Sequence, residues 1–406
     1  MIDSPAILLI VIITLRYYAD YKMKRRDFLM LAASSVLASQ QALAAPLGNP
    51  KTVRPEDFGA KGDGLADDTN PIQKAINSGA DEIIFSGKYK VTPQSFPGIP
   101  GVIGHNSVCL DVKSNQVLKG QGKIILGKSS HGNSGAILAN ITSQQINDTT
   151  ISVSIDGGQI GGKNGFSGIV LINAKRCVIG NNISISNMSY NGIRLARSSL
   201  SCRIQDVNIR NVGYIGIQAQ QPRNIFVCNN IIENTKDNAI DFESNKGYQD
   251  GYIHDNTITK CKTGIFLESG GNCSIYNNKI SKFYVAGIFL NRINTPANNV
   301  RIYKNIIDGT GNKVQKGGIA INNNIRTATI SSNTFKNLDY SIWANGKISH
   351  ITVGENKNIN IGKSIIRVGN VKNDLTDSVV SKQEMNKSTT PIIDNDISNY
   401  KGLVIK

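Results

Sequence analysis

The 406-residue sequence carries little charge for its length: Asp, Glu, Lys and Arg together make up 18%. Aromatic residues make up 6%, with one tryptophan. With 39 glycines and abundant asparagine after residue 180, the chain is poor in helix formers and rich in turn formers. That excludes a mainly helical chain and suits an all-β one with many tight corners. No apolar run is long enough to cross a bilayer easily. "AILLIVIITL", residues 6–15, stops at ten, where about 20 are needed. No dense Lys/Arg run with interleaved aromatics follows residue 45, which argues against a nucleic-acid partner. The spacing of Cys109, Cys177, Cys202, Cys228, Cys261 and Cys273 fits no zinc pattern. No metal site and no cofactor are therefore assigned. "IDGGQIGG" (Ile155–Gly162) is a glycine-rich corner rather than a phosphate loop, because no Lys-Ser/Thr and helix follow it.

The net charge is +16, and a basic surface favours an acidic partner such as an anionic polysaccharide. From Met23 the chain reads "MKRRDFLMLAASSVLASQQALAAP". Arg25-Arg26 precede an apolar run that ends at Ala42-Leu43-Ala44, in the order of a twin-arginine export signal. This predicts a targeting region over 1–44, passage through the twin-arginine translocase in folded form, and a periplasmic or secreted product. Residues 1–22 then read as a misassigned start, with a membrane anchor as the alternative. Two readings of the cysteines stay open: a disulfide between Cys177 and Cys202, which an oxidising compartment permits, and buried free thiols.

From about residue 165 one phrase recurs: "SGIVLIN", "NGIRLAR", "IGIQAQQ", "NAIDFES", "TGIFLES", "AGIFLNR", "GGIAINN" and "YSIWANG". Its isoleucines are Ile169, Ile193, Ile217, Ile240, Ile265, Ile288, Ile319 and Ile342. A second phrase runs in phase with it, as at Ile253/Asn256/Ile258, Ile275/Asn278/Ile280, Ile302/Asn305/Ile307 and Ile330/Asn333/Phe335. A fixed period in the low twenties with short alternating strands predicts a solenoid. The expected form is an all-β, right-handed, single-stranded parallel β-helix over 45–373, with a C-terminal cap or tail over 374–406. Asn at a recurring corner is expected to take the left-handed conformation and to bond its neighbours in a ladder. The one longer step, before Ile319, predicts an inserted loop in 291–299 or 308–318.

"VRPEDFGAKGDGLADDTNPIQKAINS" (Val53–Ser78) resembles the opening of the pectate-lyase-like superfamily, which holds polygalacturonases, pectate lyases and tailspike depolymerases. The matching residues are Asp57-Phe58-Gly59-Ala60, Gly62-Asp63-Gly64, Asp67-Asp68-Thr69 and Ile72-Gln73-Ala75-Ile76. "EIIFSGKYKV" and "VLKGQGKIIL" resemble the strand and turn that follow in that group. The resemblance implies a right-handed β-helix, with a short helix from Asn70 to about Ser78 capping its first coil. It also implies activity on an outward face of the central coils. The polygalacturonase pattern is incomplete here: Asp237 of "DNAI" matches its Asp-Asp-x-Ile, Asn238 does not, and neither Gly-His-Gly nor Arg-Ile-Lys occurs. The Asp-Pro-His-Asp pattern of alginate epimerases is absent as well.

In a strand, successive side chains alternate faces. Taking the repeat as Gly-Ile-a-Leu-b, Ile and Leu face the core and a and b face out. Position a runs Val170, Arg194, Gln218, Asp241, Phe266, Phe289, Ala320, Trp343. Position b runs Ile172, Ala196, Gln220, Glu243, Glu268, Asn291, Asn322, Asn345. At rung spacings of about 4.8 Å, Asp241, Glu243 and Glu268 form a trio with separations suited to glycoside hydrolysis. They are the candidate catalytic residues, with Glu243 or Glu268 as general acid. Arg194, Arg197, Asp237, Phe266, Phe289 and Arg292 are the candidate substrate-binding residues. Arginines suit the carboxylates of an acidic sugar, and aromatics suit sugar-ring faces. The expected function is cleavage of glycosidic bonds in a polysaccharide, expected to be acidic. Two alternatives stand beside it: a β-eliminating lyase on a uronic-acid polymer, for which calcium is a candidate cofactor, and a non-catalytic glycan-binding β-helix.

Overall fold

The computed structural model describes residues 49–96, 98–103, 107–127, 135–158, 165–244, 250–268, 271–291, 299–311, 317–322, 325–346, 348–368, 378–381, 383–386 and 404–405. The targeting region expected over 1–44 lies outside them, as does most of 374–406. From Thr52 onwards the chain is a right-handed parallel β-solenoid of about 11 turns with little helix. The strand pairings along the solenoid are parallel, each strand bonding to its counterpart one turn later.

One sheet carries the recurring phrase. Its strands are β1 (Phe166–Ile172), β2 (Ile193–Ala196), β3 (Ile217–Gln220), β4 (Ile240–Glu243), β5 (Thr257–Glu268), β6 (Lys279–Asn291), β7 (Gly317–Asn322), β8 (Thr334–Asn345) and β9 (Lys357–Val368). The isoleucine period sets the register. Ile169, Ile193, Ile217, Ile240, Ile265, Ile288, Ile319 and Ile342 pair in one unbroken column. All eight are buried. They join Phe242, Phe283 and Phe335 in one apolar core that runs the length of the solenoid. Glycine precedes six of the eight isoleucines, with Ala239 and Ser341 before the other two, and packing favours it. A Cβ on Gly264 would lie 2.4 Å from the Gly287 carbonyl on the next turn, and one on Gly192 would lie 2.6 Å from the Gly216 carbonyl.

The asparagine column exists, with its two roles on successive residues. The buried ladder is Asn230, Asn256, Asn278, Asn305, Asn333 and Asn356. From Asn256 on, each side-chain oxygen accepts from the backbone N–H and the side-chain amide of the rung before, as Asn278 does from Asn256 at 3.1 and 2.9 Å. The left-handed residue is the preceding one: Asn229, Asp255, Asn277, Lys304 and Ser332 have φ near +56°. Asn is thus needed for its amide at the first column, while the second takes Asp, Lys and Ser as well. The longer step before Ile319 is shared between both candidate loops. Lys279 already pairs far ahead, with Ile306, and Ala286 farther still, with Gly317.

Helix α1 (Thr69–Asn77) closes the first coil. Ile72, Ala75 and Ile76 face the core. Its N-terminus is held by Asp67 rather than Asp68: the Asp67 carboxylate accepts from the Thr69 N–H and hydroxyl. Asp68 instead accepts from the N–H groups of Lys61 and Gly62. At the other end, Gln116 donates to the Ile76 and Ala80 carbonyls. These contacts tie Asp67 and Asp68 into the fold of the opening motif.

Candidate functional site

The outward positions of β1 to β8 form two parallel columns, fixed by the same register that buries the isoleucines. In column a, Arg194 pairs with Gln218, Gln218 with Asp241, Asp241 with Phe266 and Phe266 with Phe289. In column b, Gln220 pairs with Glu243, Glu243 with Glu268 and Glu268 with Asn291. The three candidate acids therefore sit on two neighbouring rungs.

Their environments differ sharply. Asp241 is 2% exposed. One of its oxygens accepts from the Asn238 side-chain amide at 2.8 Å, and the other has no hydrogen-bond partner among the described residues. Burial, with Glu243 beside it, pushes its carboxyl well above the usual aspartate range, because an ion with one unbonded oxygen is costly away from water. Glu243 is half-buried and acts as acceptor on both oxygens, from Gln218 Nε2 at 2.9 Å and Gln220 Nε2 at 3.2 Å. Glu268 is half-buried, and burial followed by repulsion from Glu243 raises its pKa. The rungs thus offer a buried acid displaced toward its protonated form, an oriented acceptor, and an accessible group displaced in the same direction.

The candidate binding residues are distributed around this trio. Phe266 and Phe289 meet edge to face at 5.3 Å between ring centres, in a small apolar cluster with Val285, Ala286, Ala320 and Trp343. Arg194 is nearly buried and turns from the acids toward a strap formed by 94–96 and 98–103. Its guanidinium donates to the carbonyls of Gly101 and Val102, both at 3.1 Å, and to Gln220 Oε1 at 3.2 Å. Burial lowers its pKa from the usual arginine value. Arg197 stands at the exposed corner after β2 and donates to Gln144 at 3.2 Å. Arg292 lies outside the described residues. Asp237 pairs with Lys262 at 3.0 Å.

That last pair belongs to a feature the outward columns did not reveal. Tyr190, Tyr214, Asp237 and Lys262 occupy one column at the corner before the strands, each three residues ahead of its isoleucine, linked by backbone bonds from rung to rung. Tyr190 and Tyr214 stack at 4.9 Å. Beyond them is a cavity of about 520 Å³ whose lining includes Lys236, Lys260, Lys262, Lys282 and Tyr284. Its lysines lie three or more residues ahead of the isoleucine column, outside columns a and b, and two of them are paired, Lys260 with Glu233 and Lys262 with Asp237. Gln218 and Gln220, which orient Glu243, were equally silent in the sequence, where glutamine facing out is unremarkable. The shared offset of three from the isoleucine was the signal that could have found Lys262.

His254 is occupied elsewhere, stacked on Tyr276 at 4.6 Å and bonded to Asp255 at 2.6 Å. All six cysteines are buried free thiols. Among the described residues no group of three or more His, Cys, Asp or Glu side chains is arranged to hold a metal ion.

Residues 191–358 match the family model of the right handed beta helix region. That stretch contains the whole trio. Solved structures align over most of the chain at low identity. The A-module of the Azotobacter vinelandii mannuronan C-5 epimerase AlgE6 is 16% identical, with 87% of this chain and 99% of that one covered and a TM-score of 0.60. A mutant tailspike protein of E. coli bacteriophage HK620, in complex with a pentasaccharide, is 12% identical over 87% and 71%, with a TM-score of 0.68. A Yersinia enterocolitica family 28 exopolygalacturonase is 15% identical over 88% and 78%, with a TM-score of 0.54. At these identities the likeness is one of fold.

Proposed function

We propose that this protein hydrolyses glycosidic bonds of an acidic polysaccharide on the outward face of β4 and β5. The observation that carries the reading is the trio itself: three carboxyls on two rungs, one of them buried with an unbonded oxygen. Acids gathered this way cost stability, and such groups cluster where chemistry needs displaced pKa values. Glu268, half-exposed and displaced toward its protonated form, gives its proton to the glycosidic oxygen. Glu243, held as an acceptor by two glutamine amides, attacks the anomeric carbon. Water then releases the sugar as Glu268 takes back a proton. At one rung apart, about 4.8 Å, the pair is close to the roughly 5–5.5 Å spacing of retaining enzymes, so the configuration is kept. Asp241 lies too deep to meet substrate and serves to keep a proton, and no third negative charge, under the pair. Phe266, half-buried, supports a sugar face while the buried Phe289 packs behind it, and the net charge of +16 favours a substrate bearing carboxylates. The named neighbours act on or bind saccharides, which agrees with a carbohydrate partner.

The lysines around the corner cavity favour a second reading, a β-eliminating lyase in which Lys262 or Lys282 removes the proton beside the uronate, with calcium as a further requirement. A panel of acidic polysaccharides separates the two. Hydrolysis releases reducing ends without the ultraviolet absorbance of an unsaturated sugar, whereas elimination gives both. Binding with neither signal leaves a glycan-binding module. Export through the twin-arginine translocase belongs to this reading, and Arg25→Lys with Arg26→Lys is expected to retain the protein in the cytoplasm.

A further inference from the structure

We propose that the cleft over column b is blind at its N-terminal end, so that a polysaccharide enters end first and is shortened from that end. This rests on the hydrolytic reading above for its chemistry, but the wall itself is independent of it. The half-buried part of column b begins at Gln220 and continues through Glu243, Glu268, Asn291, Asn322 and Asn345. One rung before Gln220 it stops. Ala196 and Ile172 occupy the same column and are fully covered. What covers them is the strap. Phe96, Ile99, Val102 and Ile103 pack with Val170, Ile172 and Ala196 in an apolar cluster outside the solenoid. The strap is a built element. Ile99 and Ile103 exchange backbone bonds at 2.8 and 2.9 Å, Gln94 donates to the Val108 carbonyl, and the Arg194 guanidinium ties the Gly101 and Val102 carbonyls to β2.

The wall stands close to the acids. From Glu243 to the covered Ala196 is two rungs, roughly 10 Å, or room for about one or two sugar rings. In the other direction the half-buried column runs on to Asn345. An occupant spanning the acid pair can therefore extend only toward β8. The wall is also bonded to the chemistry, since Arg194 donates to Gln220 and Gln220 donates to Glu243. Arg194 is on this account a positioning residue, holding the strap and the acceptor in one network.

Two measurements test the wall. The first uses the Glu243→Gln variant, to bind without turnover, and hexasaccharides of galacturonate, mannuronate and glucose. Each carries a bulky fluorophore at either its reducing or its non-reducing end. A blind cleft loses affinity about tenfold or more with one label and little with the other. Equal tolerance of both labels by a hexasaccharide that binds overturns the proposal, whether or not the protein cleaves anything. The second follows wild-type protein on long polymer. Release of short sugars while the polymer shrinks slowly supports the wall, and early appearance of mixed intermediate lengths overturns it. A label effect without cleavage would remove the hydrolytic reading alone. If no labelled sugar binds and no polymer is cut, the carbohydrate reading falls and takes the proposal with it.

Discussion

Two columns of polar side chains run along the same solenoid with opposite character. Inside, the ladder from Asn230 to Asn356 is repetitive and saturated. Asn278 alone donates to the Ile253 and Tyr276 carbonyls and to Asn305, and accepts twice from Asn256. Outside, column a changes chemistry at nearly every rung, from valine through arginine, glutamine, aspartate and phenylalanine to tryptophan. It also retains unbonded buried atoms, Arg194 Nε and Asp241 Oδ1. A repeat that serves the fold can use one residue many times, because every rung poses the same backbone problem. A surface that serves chemistry must differ from rung to rung, because its partner is met once. The departures from periodicity, rather than the period, mark the site.

The largest expected effect tests the outer column. Replacing Glu243 or Glu268 by Gln removes a group that gains or loses a proton or bonds to sugar, and turnover should fall about 10³-fold. Unfolding by denaturant should be little changed. The rate of the wild type should also decline as pH rises through the elevated Glu268 pKa, because the donor must be protonated. Full turnover in either variant, measured as reducing-end release, would show that the trio is only a charged surface.

The inner column should respond in the opposite way. Asn278→Ala takes the Asn278 side chain away from the buried Asn256 backbone N–H and Ile253 carbonyl that it bonds, and each such orphan costs about 1–3 kcal/mol. A loss on the order of 3 kcal/mol in equilibrium unfolding is expected, with turnover per folded molecule unchanged. A variant that kept its stability and lost its activity would erase the distinction between the columns.

The distinction also decides what could be read from the sequence. The fold was legible because its determinants repeat: isoleucines in register, glycine where the next turn's carbonyl approaches, asparagine at the ladder. The outward columns followed from strand alternation alone, so Asp241, Glu243 and Glu268 could be set side by side. Their burial could not. That Asp241 is covered while Glu243 and Glu268 remain half-open depends on packing across the sheet. Arg194 shows the same limit: its outward position was readable, yet the strap that takes up its guanidinium is distant in sequence, at 101–102. The basic cavity escaped because its lysines come from a corner, where no alternation rule says which way a side chain points.

The smallest effect concerns the one acid that joins the two columns' properties, since Asp241 is buried like the ladder yet lies on the outward strip, with one oxygen unbonded among the described residues. Its pKa is raised on folding, so the folded state keeps a proton that the unfolded chain gives up. Stability owed to that proton is present below the ordinary aspartate pKa of 3.8 and is lost as pH climbs toward the folded value. Wild-type protein should therefore be more stable at pH 5 than at pH 7. Asp241→Asn cannot ionise and retains a group able to accept from Asn238. It should flatten this slope and match or exceed wild-type stability at pH 7, as denaturant midpoints at the two pH values would show. Turnover should change less than in Glu243→Gln, because Asp241 acts only through its neighbours. If the slope persists in the variant, the buried proton resides on another group, and Glu268 is the remaining carboxyl of the trio whose pKa is raised.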